Sequence, residues 1–225
     1  MFCDRCGSAV PASAAQCVRC NAPLAAVALV PVAVPRGPVA WIGDGWNAVT
    51  ANFWIFVLLG FLYLAAGSTV LILGPVALGL QWAALRQVAG RAADINDLTL
   101  GFKQFPNAVL VYLVTGIIIV CASVFFIIPG LIAAALLQFP YLLVIDKKLD
   151  FWAAIKESFA VSQRHFGTLL GFFLLQICLI AAGALLCGFG LLVAIPICYA
   201  ATAAAYIDLF GMREDTKVGI AAGDR

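Results

Sequence analysis

The charged residues of this chain fall into four blocks, separated by three long uncharged stretches. No Asp, Glu, Lys or Arg occurs in 45–85, 104–145 or 165–207, which are 41, 42 and 43 residues long. Because one helix needs about 20 apolar residues to cross a bilayer, each stretch has room for two helices and a tight turn. The sequence therefore predicts an all-α integral membrane protein with six transmembrane helices arranged as three hairpins.

The composition excludes the other broad classes of protein. Hydrophobic residues make up 64% of the chain and charged residues 11%, against about 45–50% and 25% in soluble domains. Too few polar side chains are present to cover a soluble core, and the chain is far too apolar to be disordered. The net charge of +2 is too small to indicate nucleic acid as a partner.

Proline and glycine place the helix boundaries inside each uncharged stretch. The turn signals are Gly74-Pro75 (with Gly67-Ser68 as an alternative), Pro129-Gly130 and the glycine-rich run at 187–190. The predicted helices lie near 52–73, 75–90, 107–128, 130–146, 166–187 and 190–210. The helices near 75–90 and 130–146 are at the lower limit of length for crossing. The sequence leaves open whether those two fully span.

The basic residues predict the orientation. All 13 Lys and Arg lie in the N-terminal segment, the two loops between hairpins or the C-terminal tail. An even number of crossings puts these regions on one side, and the positive-inside rule makes that side cytoplasmic. We therefore expect a multi-pass protein of the cell (inner) membrane with cytoplasmic N- and C-termini.

Short segments of interfacial character precede the hairpins. In the predicted helix at 150–163, one face carries Trp152, Ile155, Phe159 and Ser162. Lys156 and Glu157 lie on the opposite face, where we expect them to be wet. The pattern is typical of a helix lying in the headgroup region. A docking face for a partner is the alternative.

The N-terminus carries a metal-binding motif. Two Cys-x2-Cys pairs, Cys3 with Cys6 and Cys17 with Cys20, are separated by ten residues. Four thiolates from two such pairs can hold one tetrahedral Zn²⁺. The pattern predicts a structural zinc site, with iron or a redox dithiol as the alternatives. Since so small a domain has little core, zinc would supply most of its folding free energy.

These observations divide the chain into four parts. We expect a zinc ribbon at 1–24, an Ala/Val/Pro-rich linker at 25–40, the six-helix membrane domain at 41–211 and a cytoplasmic tail at 212–225. Pro31, Pro35 and Pro38 favour an extended tether in the linker.

The two main parts each resemble a known group of bacterial proteins. The first 24 residues resemble the short zinc ribbons at the N-termini of many bacterial membrane proteins. The remainder is similar to an uncharacterised family of six-helix bacterial membrane proteins, distantly like the membrane domain of some glycerophosphodiester phosphodiesterases. The residues that carry this second resemblance are Asn52-Phe53-Trp54, Gly74-Pro75, Ile128-Pro129-Gly130, Ala153-x4-Ser158, Gly188-x7-Pro196 and Tyr206-Ile207-Asp208-Leu209-Phe210-Gly211. The resemblance implies the fold but no activity.

Catalytic and ion-carrying groups are scarce in the predicted helices. Gln81, Gln138 and Gln176, one in each hairpin, are the most polar residues inside them. Interhelical hydrogen bonding is one interpretation, and a ring of substrate contacts is the other. We read the cysteines beyond the ribbon as packing residues and His165, the only histidine, as an interfacial anchor. No nucleophile or acid–base constellation surrounds His165, so we predict no enzymatic activity.

Three functions fit this pattern. The first is a non-enzymatic scaffold or assembly factor, anchored in the lipid bilayer, whose zinc ribbon binds a protein partner. The second is a carrier or channel for an uncharged or lipidic molecule. The third is a membrane regulator that senses zinc or redox state through the ribbon. The sequence leaves the partner, the substrate and the oligomeric state open.

Overall fold

The computed structural model of the protein describes residues 35–66, 70–125, 127–185 and 190–222, and residues 36–225 form one compact unit. The predicted zinc ribbon at 1–24 lies outside the described residues. The described part of the chain holds eleven α-helices, one short 3-10 helix (Ile95–Asp97) and no strand, which confirms the all-α prediction. The α-helices are α1 (Pro38–Ala51), α2 (Phe53–Ala66), α3 (Val70–Val88), α4 (Leu98–Lys103), α5 (Phe105–Phe125), α6 (Ile127–Leu136), α7 (Pro140–Asp146), α8 (Phe151–Arg164), α9 (Phe166–Leu185), α10 (Leu191–Phe210) and α11 (Glu214–Ala222).

Four candidate spans are long and apolar enough to cross a membrane. They are Phe105–Val124, Ile128–Asp146, Phe166–Leu185 and Leu191–Phe210. Helices α1 and α2 would together make a fifth, but they are bent by 103° at their junction. By length and composition, the described residues therefore provide four or five crossings where the sequence predicts six. The difference lies in the first hairpin, where α2 has 14 residues.

The first hairpin does not turn at Gly74-Pro75, so that prediction is wrong. Helix α3 runs through both residues from Val70 to Val88. Gly74 instead allows close packing on α5, because a Cβ atom there would lie 2.9 Å from the carbonyl oxygen of Ala108. Neighbouring helices make an internal proline such as Pro75 tolerable in a membrane helix.

Helix α10 is the most enclosed of the spans. Helices α1, α2, α3 and α9 all pack against it. A Cβ atom at Gly45 of α1 would lie 2.7 Å from the carbonyl oxygen of Ile197, and one at Gly60 of α2 would lie 2.7 Å from that of Leu192. Small residues of this kind let membrane helices approach closely. Two glycines on α1 and α2 therefore set how closely these helices approach α10.

Two helices lie at least partly in the segments predicted as linker and tail. The predicted linker at 25–40 overlaps α1, whose first residue is Pro38. Proline is favoured at that place, because the first N–H of a helix has no partner within the helix and the proline ring presets φ. The predicted tail at 212–225 contains α11 rather than only irregular chain.

Helix α8 packs part of its predicted apolar face against the bundle and leaves the rest exposed. Its buried residues are Ala154, Ile155, Ser158 and Ser162. Trp152 and Phe159 are 49% and 43% exposed, so of the predicted apolar side chains only Ile155 packs against the bundle. Glu157, which we expected to contact only water, pairs with a neighbouring side chain. Its Oε1 accepts a hydrogen bond from Lys147 Nζ at 2.6 Å. The aromatic side chains at 152 and 159 are thus left for the lipid boundary.

A break at residues 137–139 interrupts the fourth predicted helix, and a side chain of α8 forms a hydrogen bond to the backbone at this break. Pro140, the first residue of α7, has no N–H to donate to the carbonyl of Leu136, the last residue of α6. The buried hydroxyl of Ser158 donates to that carbonyl oxygen at 2.9 Å. A side chain of α8 therefore satisfies the backbone group that Pro140 leaves free.

We expect Ser158→Ala to lower the free energy of unfolding by about 1–3 kcal/mol, because the Leu136 carbonyl would stay buried without a donor. The matched control is Ser162→Ala on the same helix. The Ser162 hydroxyl is also buried but has no hydrogen-bond partner in the described structure, so its loss should be neutral. Unfolding of the full chain in mixed micelles measures both changes, and equal costs at the two serines would contradict this role for Ser158.

Candidate functional site: a polar cavity within the helical unit

The structure brings the three glutamines singled out in the sequence into one cavity. The cavity has a volume of about 360 Å³, within the range of about 300–1,000 Å³ typical of small-molecule sites. Its lining is formed by Tyr63, Gln81, Gln138, Gln176, Ile180, Ile195, Cys198, Tyr199 and Thr202. These residues come from all three predicted hairpins, and we call the space the glutamine cavity.

Gln176 confirms the prediction of interhelical hydrogen bonding. Its Nε2 donates to Thr202 Oγ1 at 2.9 Å and to the carbonyl oxygen of Cys198 at 3.3 Å. The Thr202 hydroxyl in turn donates to the Cys198 carbonyl at 2.8 Å. This network ties α9 to α10 at one wall of the cavity.

Gln81 and Gln138 each have a buried side-chain oxygen that accepts no hydrogen bond in the described structure. Gln138 lies in the break between α6 and α7, and its Nε2 donates to the carbonyl oxygen of Ala135 at 3.1 Å. Its Oε1 is buried with no hydrogen-bond partner among the described residues, and the same holds for Gln81 Oε1. Gln81 is only 3% exposed. An acceptor that is buried without a donor lowers the stability of the fold by about 1–3 kcal/mol. A bound molecule that donates a hydrogen bond to either oxygen would remove this penalty.

The glutamine cavity lies near the middle of the helices that form it. Gln176 and Thr202 are the eleventh residue of α9 and the twelfth of α10, and Gln81 is the twelfth of α3. At about 1.5 Å per residue these positions are roughly 15 Å from the helix start, half of a hydrocarbon core of about 30 Å. No charged side chain is among the described lining residues, so the cavity suits an uncharged molecule.

Thr202 was missed in the sequence, although the repeat could have indicated it. The uncharged stretches begin at residues 45, 104 and 165, and Gln81, Gln138 and Thr202 lie 36, 34 and 37 residues later. The three side chains therefore occupy matching places in the three repeats, and all of them line the cavity. Gln176, by contrast, sits on the earlier helix of its repeat.

Several charged residues near the ends of the helices pair with one another, and none of them is among the cavity's described lining residues. Arg36 bridges Asp44 at 2.9 Å and Asp208 at 2.8 Å. The hydrogen bond to Asp208 is the main reason why the pKa of Arg36 is raised above its usual value. Arg86 pairs with the buried carboxylate of Asp97.

A fully buried carboxylate, Asp146, holds the C-terminal segment. Its Oδ2 accepts a hydrogen bond from the Tyr206 hydroxyl at 2.7 Å, and the backbone N–H of Arg213 donates to both of its oxygens at 3.2 Å. The Thr216 hydroxyl donates to the Asp146 backbone carbonyl at 3.4 Å. Asp146 therefore joins the ends of α7 and α10 to the start of α11.

The other residues singled out in the sequence are the cysteines and His165. Cys3, Cys6, Cys17 and Cys20, the predicted zinc ligands, are outside the described residues. In the described ranges, no three His, Cys, Asp or Glu side chains come together as a metal site. His165 caps the C-terminus of α8, and of the cysteines in the helices Cys198 alone is among the described lining residues.

The chain matches no protein-family model, no curated protein and no solved structure. The resemblance to a six-helix bacterial family therefore stays a prediction. The function has to be inferred from the glutamine cavity and from the sequence.

Proposed function

We propose that this protein crosses the bacterial inner membrane six times as three hairpins, with both termini in the cytoplasm. The four long apolar helices support a membrane location. The confinement of all 13 Lys and Arg to the termini and the loops between hairpins supports the orientation.

Within that membrane, the protein acts as a non-enzymatic carrier for an uncharged or lipidic molecule bound in the glutamine cavity. The observation that carries this proposal is the pair of buried, unpartnered oxygens, Gln81 Oε1 and Gln138 Oε1, in a neutral cavity at mid-depth. A protein that only anchors a partner has no need of such a site, because an apolar pair in its place would be at least as stable.

The interrupted helix at the cavity adds support. Transporter sites commonly lie near the bilayer midplane, where a discontinuous helix exposes backbone and side-chain polar groups. Here the break between α6 and α7 places Gln138 in the cavity wall. The packing of Ser158 against the break keeps the interruption stable without water.

Two isoleucines on α9 offer a direct test. Ile180 is 39% exposed and lines the glutamine cavity, whereas Ile177 is 37% exposed and is absent from its lining. A tryptophan at position 180 should obstruct the cavity at its exposed edge, while one at 177 should only face lipid.

We expect native mass spectrometry of the full chain, released from its own membranes, to show a bound neutral molecule. Ile180→Trp should reduce that bound fraction about tenfold or more, which corresponds to a loss of about 1.4 kcal/mol. Ile177→Trp should retain it. A bound fraction that is the same in both variants, or absent from the native protein, would refute the carrier.

A scaffold or assembly factor is the second candidate function. The two Cys-x2-Cys pairs and the Pro-rich segment after them favour it, because a tethered zinc ribbon is suited to binding a protein partner. A ribbon that senses zinc or redox state and regulates the membrane domain is a variant of the same idea. Neither excludes a ligand in the glutamine cavity.

A further inference from the structure

The two unpartnered oxygens indicate which kind of group a ligand of the glutamine cavity must carry. Gln138 cannot exchange the ends of its amide without losing the 3.1 Å bond from its Nε2 to the Ala135 carbonyl, so its oxygen is left to accept. Gln81 Oε1 is a second acceptor in the same lining. Both positions call for a hydrogen-bond donor, and an ether or ester oxygen cannot supply one.

The rest of the lining limits the donor to a neutral group. An ammonium or guanidinium donor would need a counter-charge, because a bare charge at this depth costs several kcal/mol. The lining offers amide, hydroxyl, thiol and apolar groups but no carboxylate. A hydroxyl is therefore the donor that fits best.

The apolar side of the cavity indicates where the rest of the ligand lies. Ile180 and Ile195 line this side, and Ile180 is partly exposed on the outer face of α9. Helix α9 is one of the most apolar helices and carries no charged residue. A chain that left the cavity past Ile180 would enter the hydrocarbon of the bilayer.

We propose that the glutamine cavity binds the hydroxyl end of a neutral lipid. The lipid hydroxyl donates to Gln81 Oε1, and its apolar chain leaves past Ile180 into the bilayer. This inference rests on the carrier proposed above and narrows its ligand from any uncharged molecule to a lipidic alcohol. A free polyol has the same donor chemistry, but it would have to reach mid-depth through apolar surroundings.

The test compares two lipids that differ only in the donor. The full chain is reconstituted in phosphatidylcholine vesicles with 1,2-dioleoylglycerol or with its 3-O-methyl ether, and the amount of each lipid bound is measured by native mass spectrometry. A third arm supplies glycerol in the buffer. We expect dioleoylglycerol to bind about tenfold more tightly than its methyl ether, as one hydrogen bond worth about 1.4 kcal/mol requires.

The variant Gln81→Leu should abolish this preference. It should still fold, because the Gln81 oxygen has no partner to lose in the described structure, and Gln81→Met gives a second variant without the acceptor. Gln163→Leu, at an exposed position on α8, is the control and should keep the preference.

Four results would overturn the inference. The first three are equal binding of the two lipids, a preference that survives both substitutions at Gln81, and saturable binding of glycerol without a lipid. Bound water alone, with no lipid at all, would also refute it. If a bound molecule remains sensitive to Ile180→Trp in these cases, the carrier stands and only the lipidic alcohol is refuted.

Discussion

Replacing Asp146 by alanine should lower the free energy of unfolding of the helical unit by about 3–5 kcal/mol. The carboxylate is fully buried and accepts hydrogen bonds from the Tyr206 hydroxyl and the Arg213 N–H. Each such bond to a charged group is worth about 1.5–3 kcal/mol, and alanine would leave both donors without that acceptor. Tyr206 is itself buried and stacks on Phe210, with ring centroids 5.1 Å apart. Water cannot easily reach the freed hydroxyl.

Unfolding in mixed micelles measures this loss, and Asp215→Ala is the control. Asp215 is exposed and pairs with Arg213 at 3.0 Å, so its removal should cost less than about 1 kcal/mol. Tyr206→Phe removes one of the two bonds and should fall between them. Amide exchange should also become faster in α11, which Asp146 connects to the bundle. If Asp146→Ala were no more costly than Asp215→Ala, the Asp146 network would not hold the C-terminal segment.

Replacing Cys6 by serine should release the zinc that we predict at the N-terminus. The native chain should carry about one Zn²⁺, held by Cys3, Cys6, Cys17 and Cys20. Binding of a structural zinc is worth about 10–16 kcal/mol, and three thiolates retain only part of that free energy. Metal analysis of the purified chain checks the loss, with Cys121→Ser as the control, because Cys121 is exposed on α5 and outside the two pairs.

The Cys6→Ser protein should keep the stability of its helices, since residues 36–225 form a compact unit of their own and the predicted zinc ligands precede it in the chain. Full retention of zinc in this variant would contradict the four-thiolate site.

The Cys6→Ser protein also tests the proposal that the zinc ribbon of a scaffold binds a protein partner. If it captures the same partners as the native chain, the ribbon is not the binding element. Loss of one specific partner would support the scaffold.

The positions of the later helices could be predicted closely from the sequence. The predicted helices at 166–187 and 190–210 correspond to α9 at Phe166–Leu185 and α10 at Leu191–Phe210. The reason is local: a helix in lipid must satisfy its own backbone, so the length of an uncharged apolar run nearly defines it. Polar residues stand out inside such apolar runs, so the three glutamines could also be identified from the sequence.

The errors arose where a neighbouring helix changes what a residue does. Gly74-Pro75 reads as a turn, but packing against Ala108 on α5 keeps α3 continuous. The predicted helix near 130–146 is interrupted before Pro140, where Ser158 satisfies the carbonyl that this proline leaves free. On α8, only the tertiary structure shows that the small Ser158 packs against this break while the large Trp152 and Phe159 are exposed.

The sequence by itself determined that the chain is helical, that it is built from apolar segments long enough for a membrane, and which polar residues lie inside those segments. These properties depend on composition and on runs of about 20 residues. Only the tertiary structure decided that Gln81, Gln138, Gln176 and Thr202 share one cavity, and that the side-chain oxygens of Gln81 and Gln138 are buried there without a donor among the described residues. Residues from separate hairpins meet only when the helices pack, and hydrogen-bond satisfaction depends on distances of a few tenths of an ångström.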